Sequence, residues 1–394
     1  MFAIFRRSAA LAALSVSMAL GAPALAETSV VVDVSTGKVL SQNGASDRWY
    51  PASTTKLMTA YIAFRMMEAG EAALDTPIVM TRDAAQAAPS KMGYEAGSVM
   101  RLDNALRMIM VKSANDVAVA IGETLAGSHD AFVARMNAEA ARLGMRDTRF
   151  INPNGLPGEG QHSSAKDLAI LGMTIRREFP AFTDYFSTEA ISAGDTIMRN
   201  GNDLIGQFAG ADGMKTGYIC ASGFNVVASA TREGRTLVAV VLGADGPITR
   251  ARTAAALLET GFDTDAAIQP LTIDQLPVSS GEPADISDEI CSAEGRTARA
   301  NEREKEAERE EAFGSPYMTE LDRPRVTVPV MLGGAAGTDT IEAGISLIAA
   351  YGIPIPTWRP VDGPVAAAAA SDAVTDADEL RGSTVEQGEA TASE

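Results

Sequence analysis

Residues 50–64 read YPASTTKLMTAYIAF, a predicted helix with an apolar body that opens on a serine and, three residues later, a lysine. A buried ammonium is unfavourable unless it is stabilised or gives up its charge. Positions i and i+3 lie on one helix face, and the unpaired amides at a helix N-terminus suit an oxyanion. We therefore interpret Ser53 as a nucleophile and Lys56 as its base.

Strand patterns stand on both sides of this helix. TSVVVDVSTGKVLSQ predicts a hairpin turning at Ser35-Thr36-Gly37, and GFNVVASA with RTLVAVVLG predicts a second hairpin from about residue 213 onwards. Most of residues 67–177 between them is helical in pattern, and a last helix, RTAAALLETGF, follows. We expect one catalytic domain, residues 27–265, whose sheet is completed by its N- and C-terminal pieces.

The two ends of the chain have different characters. Residues 1–26 have the basic, apolar and small-x-small segments of a secretory signal peptide. Residues 266–363 contain a charged stretch, ARANEREKEAEREE, predicted as a solvated helix or linker, and PRVTVPVML, predicted as the edge of a strand pair in a small appended module. Residues 364–394 form an alanine-rich acidic tail that we expect to be disordered.

The overall charge limits the possible partners. A formal net charge of -18 disfavours nucleic acid and adhesion to anionic lipid through a basic face, so an acidic ligand requires a locally positive pocket.

The two cysteines, Cys220 and Cys291, either pair as a disulfide in an exported protein or remain separate. A cysteine nucleophile served by His129 or His162 is disfavoured, since neither cysteine has a recognisable activating context.

A serine followed by a lysine at the third position is a weak signal alone, because Ser35 with Lys38 and Ser163 with Lys166 repeat it. Two further triplets strengthen the interpretation. Ser113-Ala114-Asn115 precedes a helix and offers a hydroxyl for proton relay and an amide for a peptide substrate, or else a simple helix cap. Lys215-Thr216-Gly217 opens the strand region and offers a lysine for a carboxylate and a glycine for close approach, or else a hairpin edge.

With all three triplets in this order, the chain resembles the penicillin-recognising serine D,D-peptidases, and most closely the low-molecular-weight D-alanyl-D-alanine carboxypeptidases. The similarity extends over about residues 28–262 and includes the phrases PASTTK, NPNGL, SSAKD and GMKTG. It implies an α/β (α+β) three-layer sandwich like that of β-lactamases. An antiparallel sheet would be flanked by helices, with a helical subdomain and a small C-terminal appendage.

The resemblance also implies a role for each residue. Ser53 would attack the penultimate D-alanine carbonyl of a peptidoglycan stem peptide and form an acyl-enzyme, with Lys56 taking the serine proton. Ser113 and Lys215 would join the proton relay, and Asn115 would position the substrate amide. The terminal carboxylate would be held by Lys215, Thr216 and Arg250, and the backbone amides of Ser53 and Tyr218, beside Gly217, would form the oxyanion hole. No metal or organic cofactor is implied, and β-lactam antibiotics would acylate Ser53.

Several alternatives remain open. A D,D-endopeptidase that cleaves peptidoglycan cross-links would use the same residues. A serine β-lactamase is disfavoured because no Glu-x-x-Leu-Asn phrase is present, and a non-catalytic wall-binding protein is disfavoured by the complete set of reactive residues. Many relatives end in a basic amphipathic helix on the membrane, whereas this chain ends in an acidic tail. Membrane association is therefore left open, and a soluble periplasmic enzyme is favoured.

Overall fold

The computed structural model describes residues 27–306, 309 and 311–336. The predicted signal peptide and acidic tail lie outside the described residues, as does the part of the C-terminal region after residue 336. The described strands are β1 (Thr28–Asp33), β2 (Val39–Asn43), β3 (Arg48–Trp49), β4 (Pro77–Val79), β5 (Val99–Arg101), β6 (Ser163–Ser164), β7 (Ala190–Ala193), β8 (Thr196–Arg199), β9 (Ala211–Ile219), β10 (Gly223–Arg232), β11 (Arg235–Ala244) and β12 (Thr327–Pro329). The described helices are α1 (Lys56–Glu68), α2 (Arg82–Ala85), α3 (Leu102–Val111), α4 (Asn115–Ala126), α5 (His129–Arg142), α6 (Ala165–Glu178), α7 (Thr183–Ser187), α8 (Pro247–Asp263), α9 (Ser287–Cys291) and α10 (Ala293–Glu306).

The main sheet has five antiparallel strands in the order β2-β1-β11-β10-β9. Both predicted hairpins are confirmed, β1 with β2 and β10 with β11. Strand β1 pairs with β11, which lies near the C-terminal end of the domain. The N- and C-terminal pieces therefore complete one sheet, as the sequence predicts.

The sheet lies between two helical layers. Successive valines of β1 alternate between its faces: Val30 and Val32 join the larger core cluster, which includes α6, and Val31 joins the cluster that includes α8. This alternation with both faces buried is what a central strand between two helical layers requires. The fold is therefore the expected three-layer α/β sandwich.

The helical subdomain is built around α1 and α4. Within residues 67–177, which are predicted to be mostly helical, the structure has α3, α4 and α5, and α4 contacts α1, α3 and α5. Helix α1 is buried on almost every side, from Lys56 through Phe64. The opening residues of α1 therefore lie in the interior of this subdomain.

The region after α8 differs from its prediction in one respect. The segment expected to lie in a small appended module instead adds β12 in parallel to β7, in a three-stranded sheet with β8. A strand edge exposes unpaired amide and carbonyl groups, and this segment satisfies those of β7. The charged helix is present as α10, with none of its residues buried. No helix among the described residues is long and apolar enough to cross a membrane.

Candidate active site

Ser53 lies in a short 3-10 turn, Ala52–Thr55, directly before α1. Ala52 has a left-handed backbone, with φ of +49°, a conformation that is unfavourable for a residue with a side chain. Gly155 packs against this turn, since a Cβ added to it would meet the Ala52 carbonyl oxygen at 1.8 Å. The predicted nucleophile, Ser53, therefore sits on a turn against which a neighbouring loop packs closely.

The Lys56 amino group is fully buried and has three partners. Its Nζ lies 2.9 Å from Ser53 Oγ, 2.7 Å from Asn115 Oδ1 and 2.7 Å from the Asn154 carbonyl oxygen. Asn115 Nδ2 in turn donates to the Ala88 carbonyl at 2.9 Å, which fixes the orientation of the Asn115 amide. All three partners of Lys56 are neutral, so nothing in direct contact compensates a positive charge.

The electrostatics favour the neutral amine. Burial, and then the charge of Lys215, hold the pKa of Lys56 well below its usual value of 10.5, while Asp116 acts in the opposite direction. A neutral amine has two N–H donors and one lone pair. The carbonyl of Asn154 and Oδ1 of Asn115 can only accept, so the lone pair is left facing the Ser53 hydroxyl. This is the arrangement required of a base that takes the serine proton.

The second buried lysine of the same serine-lysine spacing has a different environment. Lys166 Nζ donates to Asp147 Oδ2 at 2.6 Å and to the Pro277 carbonyl at 2.9 Å, and it lies 3.7 Å from Asp167. Two carboxylates thus lie beside the Lys166 amine, whereas the Lys56 amine contacts only neutral oxygens. Lys166 therefore joins the segment at residue 277 to the catalytic unit and is unsuited to act as a base.

Ser113 and Asn115 lie at the junction of α3 and α4. Ser113 is half-buried with φ of +61°, and Asn115 is the first residue of α4. The structure brings Asn115 into direct contact with Lys56, but Ser113 is not one of the three hydrogen-bond partners of that lysine. The relay role of Ser113 stays a prediction.

Strand β9 carries the third triplet along the other side of the Ser53 turn. A Cβ added to Gly217 would lie 3.0 Å from both the Pro51 carbonyl oxygen and the Ser53 amide nitrogen. Glycine at this position therefore lets the strand approach the turn closely. Thr216 is half-buried and Tyr218 is exposed at 43%. The predicted oxyanion donors, the amides of Ser53 and Tyr218, belong to these two adjacent segments.

Lys215 and Arg250 form a second buried cationic group. Lys215 Nζ donates to the Thr216 carbonyl at 2.8 Å, and burial followed by the charge of Arg250 lowers the pKa of Lys215 to about 7. Arg250 donates to the Gly201 carbonyl at 2.8 Å and lies 3.4 Å from Asp203 Oδ2. The predicted contact of Arg250 with a substrate carboxylate stays a prediction.

The pKa of Lys215 makes a testable statement about stability. Between pH 7 and its ordinary pKa of 10.5 the unfolded chain carries this proton and the folded chain does not, so its contribution to the free energy of unfolding rises with pH. We expect the free energy of unfolding of wild type to rise, relative to that of Lys215→Met, by up to about 1.4 kcal/mol per pH unit in this window. Urea unfolding at about pH 7.5 and about pH 9.5 measures the difference. A difference that stays constant would contradict the lowered pKa.

Cys220 and Cys291 form a disulfide, with Cα atoms 5.6 Å apart. The bond joins α9 to the end of β9, and the Tyr218 hydroxyl lies 3.3 Å from Cys291 Sγ. The chain has only these two cysteines, so the pairing leaves no thiol to act as a nucleophile. The C-terminal segment thus supports the strand that carries the third triplet.

Two site features carried no signal in the sequence. Asn154 acts through its backbone carbonyl, which any residue could supply, although the phrase NPNG that contains it is recognisable as a loop. Asp116, next to Asn115, is buried and accepts bonds from the Met92 and Gly93 amides. Among the described residues, no group of three or more His, Cys, Asp or Glu side chains is placed to hold a metal.

Comparisons with known proteins agree with this geometry. The family model for D-alanyl-D-alanine carboxypeptidase, peptidase family S11, matches residues 17–246. The D-alanyl-D-alanine carboxypeptidase DacD of Salmonella typhimurium is 36% identical over 272 residues, which cover 67% of this chain and 70% of that protein. The chain spans about two thirds of the length of the first curated relatives it matches.

Solved structures give the same result. Penicillin-binding protein 6B from Escherichia coli has 34% identity and a TM-score of 0.57 over 60% of this chain and 76% of its own. Penicillin-binding protein D2 from Listeria monocytogenes, solved in an ampicillin-bound form, has 26% identity and a TM-score of 0.55 over 60% of this chain and 96% of its own. With Ser53, Lys56 and Asn115 in contact beside β9, the chain belongs to the D-alanyl-D-alanine carboxypeptidase family of serine peptidases.

Proposed function

We propose that this protein is a serine D,D-carboxypeptidase that removes the terminal D-alanine from peptidoglycan stem peptides. Ser53 Oγ attacks the carbonyl of the penultimate D-alanine while Lys56 takes its proton. The C–N bond then breaks, a proton goes to the leaving amine, and D-alanine departs. Water cleaves the Ser53 ester, which releases the shortened peptide and restores the hydroxyl.

One observation carries this proposal: the Lys56 amine is buried among neutral partners with its lone pair available to Ser53 Oγ at 2.9 Å. A charged lysine in this position could not accept a proton. Because the charge of Lys215 also lowers the pKa of Lys56, Lys215 acts on the base without touching it. Ser113, which is near Asn115 in sequence, is proposed to return the proton to the leaving amine.

The substrate would bind between β9 and the helical subdomain. The Ser53 and Tyr218 amides are proposed to stabilise the oxyanion, and the close packing at Gly217 supports this pairing. Lys215, Thr216 and Arg250 are proposed to hold the terminal carboxylate. Although the chain has a net charge of -18, Lys215 and Arg250 supply the locally positive pocket that such a carboxylate needs.

The proposal includes two further properties, acylation by β-lactams and export to the periplasm. β-Lactams carry an acylating carbonyl and a carboxylate, so we propose that they acylate Ser53, as the ampicillin-bound form of the Listeria relative suggests. The secretory pattern of residues 1–26 supports export to the periplasm. The endopeptidase alternative uses the same residues and differs only in the leaving group.

The test measures free D-alanine released from a pentapeptide stem ending in D-Ala-D-Ala, with a cross-linked stem dimer as the competing substrate. The Ser53→Ala variant is the control. Release from the pentapeptide that depends on Ser53 supports the carboxypeptidase. Cleavage of the dimer alone would favour the endopeptidase, and no release together with no β-lactam label would favour a binding role.

A further inference from the structure

Asn225 is a fully buried asparagine in β10, directly opposite Gly217 of β9. Its side chain leaves the sheet and reaches the segment that precedes the nucleophile. Nδ2 donates to the Tyr50 carbonyl at 2.9 Å and lies 3.3 Å from the Pro51 carbonyl oxygen. A buried amide with partners on a distant segment fixes that segment in position.

The Pro51 carbonyl that Asn225 contacts is itself part of the Ser53 turn. It accepts from Thr54 Oγ1 at 2.8 Å and from the Thr54 amide at 3.3 Å. It is also one of the atoms that a Cβ at Gly217 would meet at 3.0 Å. A shift of this carbonyl would therefore move the turn that presents Ser53.

The other end of the Asn225 amide is fixed by the neighbouring strand. Oδ1 accepts from the Gly243 amide at 3.1 Å, at the place where the register of β10 and β11 shifts. Gly243 has φ of +89°. Both the donor and the acceptor end of the amide are thus engaged, which fixes its orientation.

We propose that Asn225 is a positioning residue for the nucleophile, an inference that rests on the proposed function. Its amide holds the carbonyls of residues 50 and 51 against the sheet. The Ser53 amide and hydroxyl are thereby kept at a fixed distance from β9 and the Tyr218 amide. Asn225 does not touch the substrate and acts through Pro51.

The chemistry of this position requires a carboxamide. Two carbonyl oxygens need a donor at one end, and the Gly243 amide needs an acceptor at the other. Aspartate has nearly the same shape but offers no donor, so Asn225→Asp sets a carboxylate against two carbonyl oxygens. Asn225→Ser keeps one small hydroxyl donor and adds no charge, which makes it the variant less prone to misfold.

Asn137 is a matched control outside the site. Its Nδ2 donates to the Val133 and Phe150 carbonyls at 3.0 Å and 2.8 Å, and its Oδ1 accepts from the Phe150 amide at 2.9 Å. The number and type of its hydrogen bonds equal those of Asn225. Asn137 is half-buried, and any general effect of losing an amide with these three hydrogen bonds should appear in Asn137→Asp and Asn137→Ser as well.

The experiment follows acylation of Ser53 by a fluorescent penicillin in folded, full-length protein, with Tm measured in parallel. We expect Asn225→Ser and Asn225→Asp to lower the acylation rate about 10- to 30-fold at saturating penicillin, because the nucleophile is displaced. The Asn137 variants should lower Tm and change the rate by less than about 3-fold. The pH midpoint of acylation by Asn225→Ser should stay at the wild-type value, since this variant leaves Lys56 untouched and adds no charge.

Each outcome has a definite meaning. If Asn225→Ser acylates at the wild-type rate, or if Asn137→Ser slows acylation as much, the positioning role is wrong. If Asn225→Asp does not fold, the serine variant alone decides. A wild-type protein that takes up no label and releases no D-alanine would overturn the proposed function itself, whereas label uptake without release would leave the role of Asn225 testable.

Discussion

Replacement of Lys56 by methionine is expected to lower kcat/KM for D-alanine release by about 10⁴-fold, the upper range for loss of a general base. Methionine fills a similar volume, so the fold should remain. Without the amine, nothing takes the proton of Ser53. Removal of the buried lysine also leaves Asn115 Oδ1 and the Asn154 carbonyl without this donor, which costs about 1–3 kcal/mol each. Because methionine is apolar, the variant no longer carries the cost of burying a polar amino group, and this offsets part of that loss.

The control for this variant is Lys38→Met. Lys38 also follows a serine by three positions, but it lies in the turn between β1 and β2. We expect its rate to equal that of wild type. Rates come from D-alanine release at several enzyme concentrations, and folding from circular dichroism. If folded Lys56→Met retained a rate within about 10-fold of wild type, Lys56 would not be the base.

The three serine-lysine pairs show how far the sequence could identify the base. In the sequence, Lys38 falls in a turn and Lys166 lacks the apolar run that follows Lys56, but in the structure Lys166 is also buried in a helix. The tertiary structure shows the chemical difference between them, because Asp147 comes from a separate segment to pair with Lys166, while Lys56 meets neutral oxygens. The triplets at residues 113–115 and 215–217 were therefore needed beside the serine-lysine spacing, and the family resemblance rests on all three.

The fold was predictable where the signal was local. The two hairpins and the helices α3, α4 and α5 follow from residue periodicity over short windows. The pairing of β12 with β7 joins residues more than a hundred positions apart through only three residue pairs. So short a strand has no periodicity of its own to read, and its partner is chosen by the open edge of β7.

Much of the site's geometry depends on groups that leave no pattern in the sequence. The carbonyls of Asn154 and Pro51 act through the backbone, so their residue types carry no information about their role. Gly155 has meaning only because the Ala52 turn packs against it. The sequence thus predicts the reactive side chains, whereas the structure supplies the support that holds them in place.

Gly155→Ala is expected to lower the rate of Ser53 acylation by about 10²-fold or more, because a displacement of about 1 Å at a nucleophile has an effect of this size. The added Cβ would lie 1.8 Å from the Ala52 carbonyl oxygen and 2.5 Å from its carbon. Both are backbone atoms, so no side-chain rotation relieves the overlap. Either the loop or the turn must move, and the turn presents Ser53.

Gly127→Ala separates this overlap from simple backbone strain. Gly127 has the same φ, +82°, and no atom lies within 4 Å of a Cβ built there. The Gly127→Ala variant should therefore lose only roughly 1–2 kcal/mol in free energy of unfolding, the cost of placing an alanine in the left-handed conformation. Its acylation rate should equal that of wild type. Acylation by fluorescent penicillin measures displacement of Ser53, and thermal unfolding measures the loss of stability. Both are measured on both variants. Equal acylation rates in Gly155→Ala and Gly127→Ala would show that the loop at residue 155 does not set the position of the nucleophile.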